Sequence, residues 1–142
     1  EIQARLSSSN LTLIHGDVKS PNIFYDLDRG YEPVFLDLQY IAIGKGVQDM
    51  IFFLIESFDL DNIRLNFPLF KSYYYRKLIE NGIVNYSFSD YEQDIKDAVC
   101  YFPFFVAIWF GTTPQEDLID INFPFFFIQK LFYFLDSTIR ID

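Results

Sequence analysis

Asp17 and Asn22 stand in the run His15-Gly16-Asp17-Val18-Lys19-Ser20-Pro21-Asn22, and a lone acid follows in the apolar setting Phe35-Leu36-Asp37-Leu38. Two carboxylates and an amide in this pattern have the donor set of phosphoryl transfer. One carboxylate orients an attacking hydroxyl and accepts its proton, while hard oxygen donors hold Mg²⁺ against phosphates. Asp17, Asn22 and Asp37 supply these groups. By composition a given His has Asp two residues on and Asn seven on at about 1 in 200, so chance explains the spacing poorly. The plainer alternative is that Asp17 and Asn22 only shape a turn, which both residue types do well. It leaves a carboxylate in the apolar surroundings of Asp37 unexplained.

The elements that must position these groups are readable around them. Leu11 to Ile14 and Asn22 to Tyr25 read as short strands flanking the loop, and Pro33 to Leu38 reads as a third with Asp37 near its end. The turn-rich Asp26-Leu27-Asp28-Arg29-Gly30 joins the last two as a hairpin, which draws Asn22 and Asp37 together. Met50 to Phe58 then reads as a helix ending near Ser57. Asn66 to Asn81 reads as a second, with Phe67, Phe70, Tyr74 and Leu78 on one face and Gly82 as its stop. Ser89-Asp90-Tyr91-Glu92 predicts the start of a third, running to about Phe110 past a kink at Pro103. Phe123 to Thr138 reads as a fourth, opened by Asn122 with Pro124 in its first turn. The expected fold class is α+β, a mainly helical lobe with a short β hairpin carrying the catalytic and metal-binding residues.

At 142 residues the chain is one domain's worth, and 51% apolar with 20% aromatic residues argues for a buried core. One Cys and one His exclude a His/Cys zinc cluster and a disulfide framework. Cys100 therefore reads as a buried free thiol in a reducing compartment, the cytoplasm. The apolar stretch Ala98 to Phe110 holds Pro103, and Phe123 to Leu135 is broken by Gln129 and Lys130; both fall short of the ~18 to 20 apolar residues of a spanning helix. No membrane partner is expected, and no secretory signal pattern opens the chain. A net charge of −9 disfavours nucleic acid, whose phosphates demand a basic face, and is compatible with a cationic small substrate.

Several other features have bland readings. Gly44-x-Gly46 lacks a third glycine and a strand-to-helix setting, so it reads as a turn rather than a phosphate cradle. His15, the single histidine, is a natural suspect for a base, but its place in the pattern makes it a loop-fixing residue. Asp90, Glu92, Asp94 and Asp97 read as a solvated acidic helix start, favoured by the helix dipole, ahead of a cation site. Tyr73-Tyr74-Tyr75 and the Phe-rich tail read as core and packing surface.

The H-x-D-x-x-x-x-N spacing with a later metal-binding Asp is that of the kinase catalytic loop. With His15-Gly16-Asp17 in place of His-Arg-Asp, the segment resembles the aminoglycoside phosphotransferase and choline kinase group, and within it the ecdysteroid-kinase-like branch. The supporting residues are His15 through Asn22, Val34 through Tyr40 and Gly46 through Leu54, about the first 55 residues. The helical remainder matches in outline, with Tyr86-Ser87-Phe88 opening a long helix. The resemblance implies a protein-kinase-like C-terminal lobe that uses ATP and Mg²⁺. It implies Asp17 as catalytic base, Asn22 and Asp37 as ligands of the metal-bound nucleotide, and Asp49 as the acid that braces the loop backbone. Lys19 has two readings, an auxiliary point charge on the transferred phosphate and a simple surface lysine.

The chain contains no Gly-rich loop, strand lysine or helix glutamate of a nucleotide-binding lobe. It is therefore expected to be a C-terminal, substrate-binding lobe, residues 1–142, of a parent protein whose N-terminal lobe lies elsewhere. Eleven residues separate Asp37 from Asp49, too few for a regulated activation loop, and Gly16 removes the arginine that reads one. The expected acceptor is a small alcohol or amino-alcohol, in a pocket built by the helices between Asp49 and Asp142. The rival reading is a non-catalytic, pseudokinase-like binding module.

Overall fold

In the computed structural model, which describes residues 1–118 and 120–139, four short strands precede a run of long helices. Asp142, the far bound of the region expected to build the acceptor pocket, lies outside the described residues. A five-residue helix, α1 (Ile2–Leu6), leads into β1 (Thr12–Ile14), which pairs antiparallel with β4 (Ala42–Gly44), Leu13 opposite Ile43. Between them β2 (Ile23–Asp26) and β3 (Glu32–Phe35) form an antiparallel hairpin with Phe24 opposite Val34. Its turn follows from residue chemistry. The Asp26 carboxylate accepts the Asp28 amide at 3.0 Å, and Gly30 closes the turn in the left-handed region at φ 70°.

The hairpin flanks the candidate residues and does not carry them. β3 stops at Phe35, the Leu36 amide makes a last bond to the Asn22 carbonyl at 2.9 Å, and Asp37 turns out of the extended chain at φ 60°, ψ 60°. Left-handed backbone cannot continue a strand. Gly44-x-Gly46 does join a strand to a helix, contrary to expectation, but β4 is antiparallel to β1 and no βαβ unit results.

The four expected helices are present as α2 (Gly46–Ser57), α3 (Leu60–Glu80), α4 (Phe88–Thr112) and α5 (Phe123–Thr138). α3 begins a turn and a half earlier than the spacing from Phe67 suggested. Asp59 caps it by accepting the Asn62 amide at 2.8 Å, and buried Ile63 extends the apolar stripe towards the N-terminus. α4 is capped by Ser87, not Ser89. The Ser87 hydroxyl accepts the Asp90 amide at 3.0 Å while the Asp90 carboxylate takes the Ser87 amide at 3.3 Å, and Tyr86 packs on Tyr91 across the cap with ring centroids 6.1 Å apart.

α4 continues past Pro103 and Gly111, and at 25 residues it is, among the described residues, the one helix long and apolar enough to cross a membrane. Here it serves as the core helix. Tyr91, Ile95, Ala98, Val99 and Phe102 are buried against Ile51, Leu54 and Ile55 of α2 and Phe127, Leu131 and Phe134 of α5. Its acidic start is solvated only in part: Asp90 is exposed and Glu92 half-exposed, whereas Asp94 and Asp97 are buried. Asp94 is buried against Lys45 at 3.1 Å and the Tyr86 hydroxyl at 2.8 Å, and Asp97 accepts a two-pronged bond from Arg5 at 2.6 and 2.7 Å. The Arg5 guanidinium holds the Asp97 carboxyl below the usual carboxylate range. Cys100 is half-buried rather than buried, and desolvation pushes its thiol upward.

Phe134 is fully buried and meets Phe67 edge to face at 4.8 Å, tying α5 to α3. Phe134→Ala should lower the unfolding free energy in urea by about 3 to 5 kcal/mol. A loss under about 1 kcal/mol would mean that the α3–α5 contact is not part of the cooperative core.

Candidate active site

The loop between β1 and β2 has its shape set by Gly16 and Asp49. Gly16 sits at φ 80°, and a Cβ there would strike the Tyr40 carbonyl, so no other residue fits without displacing the chain. Asp49 lies in the first turn of α2. Its two carboxylate oxygens accept the backbone amides of His15 at 2.6 Å and Gly16 at 2.9 Å. The helix end can approach because Gly46 has no side chain: a Cβ would run into the Tyr74 hydroxyl packed against that turn. Burial, with the Asp49 charge adding to it, raises the Tyr74 phenol.

Both nitrogens of the His15 ring are engaged. Nδ1 accepts the Asp17 amide at 3.2 Å, which assigns the proton to Nε2, and Nε2 donates to the Leu36 carbonyl at 2.8 Å. The ring also packs beside Phe35 at 5.9 Å. A histidine held in this way bridges the loop to the end of the hairpin and has no free nitrogen to act as a base.

The Asp17 carboxylate is buried under two donors. Lys19 Nζ lies 3.0 Å from Oδ1 and 2.9 Å from Oδ2, and Asn22 Nδ2 donates to Oδ2 at 3.1 Å and to the Asp17 carbonyl at 2.9 Å. Lys19 is half-buried and bonded, so it is not a free surface lysine. Because Asn22 uses its amide nitrogen on Asp17, its Oδ1 is left as an acceptor. Asp37 is exposed one residue past the Leu36–Asn22 bond, and Gln39 Nε2 donates to one of its carboxylate oxygens at 3.3 Å.

An amide oxygen and a carboxylate facing solvent suit Mg²⁺, which takes one or two protein oxygens and completes its shell with phosphates and water. Among the described residues no group of three or more His, Cys, Asp or Glu could hold a metal by itself. A cleft of about 940 Å³, largely apolar, lies between the strands and α2–α3. His15, Val18 and Asp49 form part of its wall, while Asp17, Asn22 and Asp37 do not, so it backs onto the loop from behind.

The structure adds residues that spacing did not single out. The Ser20 amide donates to Ser57 Oγ at 2.9 Å, and Lys130 Nζ of α5 donates to the Ile55 carbonyl at 2.5 Å. Between Ile55 and Ser57 stands Glu56, whose Oε1 is buried with no hydrogen-bond partner among the described residues. Burial lifts its carboxyl to about 7, an effect that Lys19 and then Lys130 oppose and Asp17 reinforces. The signal for it was available, since Glu56 is the single charge in the apolar run Met50 to Phe58.

Asp49→Ala removes both amide acceptors of the loop and should destabilise the fold by about 2 to 4 kcal/mol, with Asp49→Asn intermediate. Amide hydrogen exchange at His15 and Gly16 should accelerate ahead of the core. Unchanged protection at those two amides would contradict a bracing role.

A family model described as the ecdysteroid kinase-like family matches residues 2–83. No curated protein and no solved structure matches the chain. The matched span runs from α1 through α3 and takes in His15, Asp17, Lys19, Asn22, Asp37 and Asp49, stopping before α4. It covers more than half of the sequence, and a mostly helical architecture with a small hairpin is compatible with a kinase-like lobe. On that match, the chain belongs to the ecdysteroid kinase-like family.

Proposed function

We propose that the chain is the catalytic, substrate-binding lobe of an ATP-dependent O-phosphotransferase acting on a small-molecule alcohol or amino-alcohol. The observation that carries this reading is the convergence of Asp17 and Asn22 in one braced turn, with Asp37 following Leu36, whose amide bonds to the Asn22 carbonyl. A carboxylate offers about four acceptor positions. Lys19 and Asn22 occupy three on Asp17, which leaves one on Oδ1 for an acceptor hydroxyl. Asp17 orients that hydroxyl and takes its proton as the oxygen attacks, and the bracing by Asp49 and His15 keeps the geometry fixed.

Asn22 Oδ1 and the Asp37 carboxylate would hold Mg²⁺. Bound Mg²⁺-ATP would supply the γ-phosphoryl group with its charge neutralised for in-line transfer. Lys19, already at the Asp17 carboxylate, would supply a point charge to the transferred phosphate. An ecdysteroid, the alcohol in the family's description, falls in the proposed acceptor class, and the net charge of −9 suits a cationic one as well.

The nucleotide's other face calls for a lobe with a Gly-rich loop and a phosphate-gripping lysine on the strand that follows it, a pattern this sequence does not contain. The strand region supports such a docking: Leu13, Phe24, Tyr25, Val34, Tyr40 and Ile43 are all exposed, with Phe24 and Tyr25 on opposite faces of the hairpin. A non-catalytic binding module would use the same apolar face but would have no use for a carboxylate held under Lys19 and Asn22.

In the protein paired with its nucleotide lobe, Asp17→Asn should lower turnover by ~10² to 10⁴ with Mg²⁺-ATP affinity little changed. Asp37→Ala should instead weaken Mg²⁺-ATP binding and raise the Mg²⁺ requirement, because a charged ligand is lost. The assay uses radiolabelled ATP with an acceptor panel that includes an ecdysteroid and an amino-alcohol, together with calorimetric Mg²⁺-ATP titration. Equal turnover in Asp17→Asn sinks the base assignment, and unaltered nucleotide binding in Asp37→Ala sinks the metal assignment.

A further inference from the structure

We propose that the outward face of α3 is an association surface for a second copy of this chain, the two α3 helices crossing antiparallel about a two-fold axis at Leu69. The inference goes beyond the phosphotransfer reading and does not depend on it. Ile63 and Phe67 turn the inner face of α3 into the core, where Phe67 meets Phe134. Leu65 and Leu69 stand two residues further on, about 200° round the helix, and so point away from the body of the lobe. They are 79% and 65% exposed, and Leu65 is the most exposed large apolar residue among those described. Tyr73 continues the row, with the Arg76 guanidinium at 5.3 Å and the Lys77 ammonium at 5.6 Å from its ring. Single exposed leucines are ordinary on a surface, but three large apolar side chains in successive four-residue steps make one ridge.

Charge selects the occupant. Continued one step in each direction, the ridge is Asp61-Leu65-Leu69-Tyr73-Lys77, acidic at the N-terminal end of α3 and basic near its C-terminal end, where Arg76 precedes Lys77. Turned end over end about Leu69, it complements itself. Asp61 comes opposite Lys77 of the second copy, Leu65 opposite Tyr73, and Leu69 opposite Leu69. A parallel pairing would instead set Asp61 against Asp61 and Lys77 against Lys77, with the helix dipoles aligned.

Helices that pack their four-residue rows on one another cross at about 50°. At that angle the two ridges run side by side, which keeps Asp61 and Lys77 in reach of each other although each lies about 80° round its helix from Leu69. The exposed pairs that these two already make, Asp61 with Arg64 at 3.3 Å and Lys77 with Glu80 at 2.6 Å, leave both with further bonding positions. A two-fold contact uses the same patch on both copies, so association stops at a dimer. The contact is one helix pair, which places it in the small, transient class of interfaces.

The test is thiol cross-linking of the full 142-residue chain at physiological ionic strength, with Cys100→Ser so that only an introduced thiol reacts. At concentrations up to about 0.5 mM, where small transient contacts still form, Leu69→Cys should link to itself through a short bis-maleimide. Leu65→Cys and Tyr73→Cys should each link poorly alone and efficiently when mixed, a pattern that the antiparallel register alone produces. Asp61→Lys and Lys77→Asp should each slow Leu69→Cys linking by at least about threefold, and the double reversal should restore it. Ile43→Asp in the exposed strand region should leave the rate unchanged. Absence of the Leu69→Cys product, self-linking of Leu65→Cys as fast as in the mixture, or linking abolished by Ile43→Asp overturns the proposal, as does a double reversal as slow as the single ones. Circular dichroism checks that α3 is intact in each variant; should a charge reversal unfold it, the mixing of Leu65→Cys with Tyr73→Cys decides.

Discussion

Two hydrogen bonds from the amides of His15 and Gly16 to one carboxylate, Asp49, organise the rest of the site. A loop of this length has enough backbone freedom to scatter its side chains. Charge-assisted bonds to a helix's first turn remove that freedom at the two residues before Asp17, and His15 extends the constraint by tying the Asp17 amide to the Leu36 carbonyl. Gly16 is the residue that lets the backbone take the path this requires. Asp17, Asn22 and Asp37 inherit their placement from these contacts and not from interactions among themselves alone.

Asp49 can act as an anchor only if α2 is itself fixed, and buried charge does much of that work. Lys45, just before the helix, bonds to the Ser9 carbonyl at 2.7 Å and pairs with Asp94 of α4, which also accepts from Tyr86. Taking such a pair out of water is expensive, and here the geometry and the extra hydrogen bonds offset the penalty. Arg5 and Asp97 repeat the device between α1 and α4 with partial exposure of the arginine. The apolar contacts of α2 with α4 and α5 supply the bulk of the burial. The ion pairs determine where the N-terminus of α2 sits relative to β1.

The parts legible in the sequence were those governed by local chemistry. Pro124 and the Phe-rich period mark α5 to the residue, although the Asn122 side chain makes no capping bond, and the Asp26 to Gly30 turn marks the hairpin. Misplacements arose where long-range packing decides. The start of α3 rests on the Asp59 cap and on the burial of Ile63, one helical step before Phe67, which a start at Asn66 passes over. α1 and β4 are too short to show a period, and β4 exists because β1 pairs with it. Asp94 and Asp97 look like solvated acids because their partners are far away in sequence, Arg5 by 92 positions. Within the site, the loop motif and the isolated acid Asp37 were readable from residue type and setting. Glu56 obeyed the same logic, but its burial depends on how the loop and α5 close over the end of α2, which no spacing reveals.

The central claim is that Asn22 and Asp37 form the metal edge of a phosphotransferase site whose base is Asp17. Its most direct test is paramagnetic relaxation with Mn²⁺-ATP standing in for Mg²⁺-ATP in the protein paired with its nucleotide lobe. Broadening should begin at the Asn22 side-chain amide and at the backbone of residues 36–39, then reach Asp17 and Lys19. Broadening that starts at exposed acids elsewhere, such as Asp61 or Asp90, and leaves Asn22 and Asp37 sharp would contradict the account.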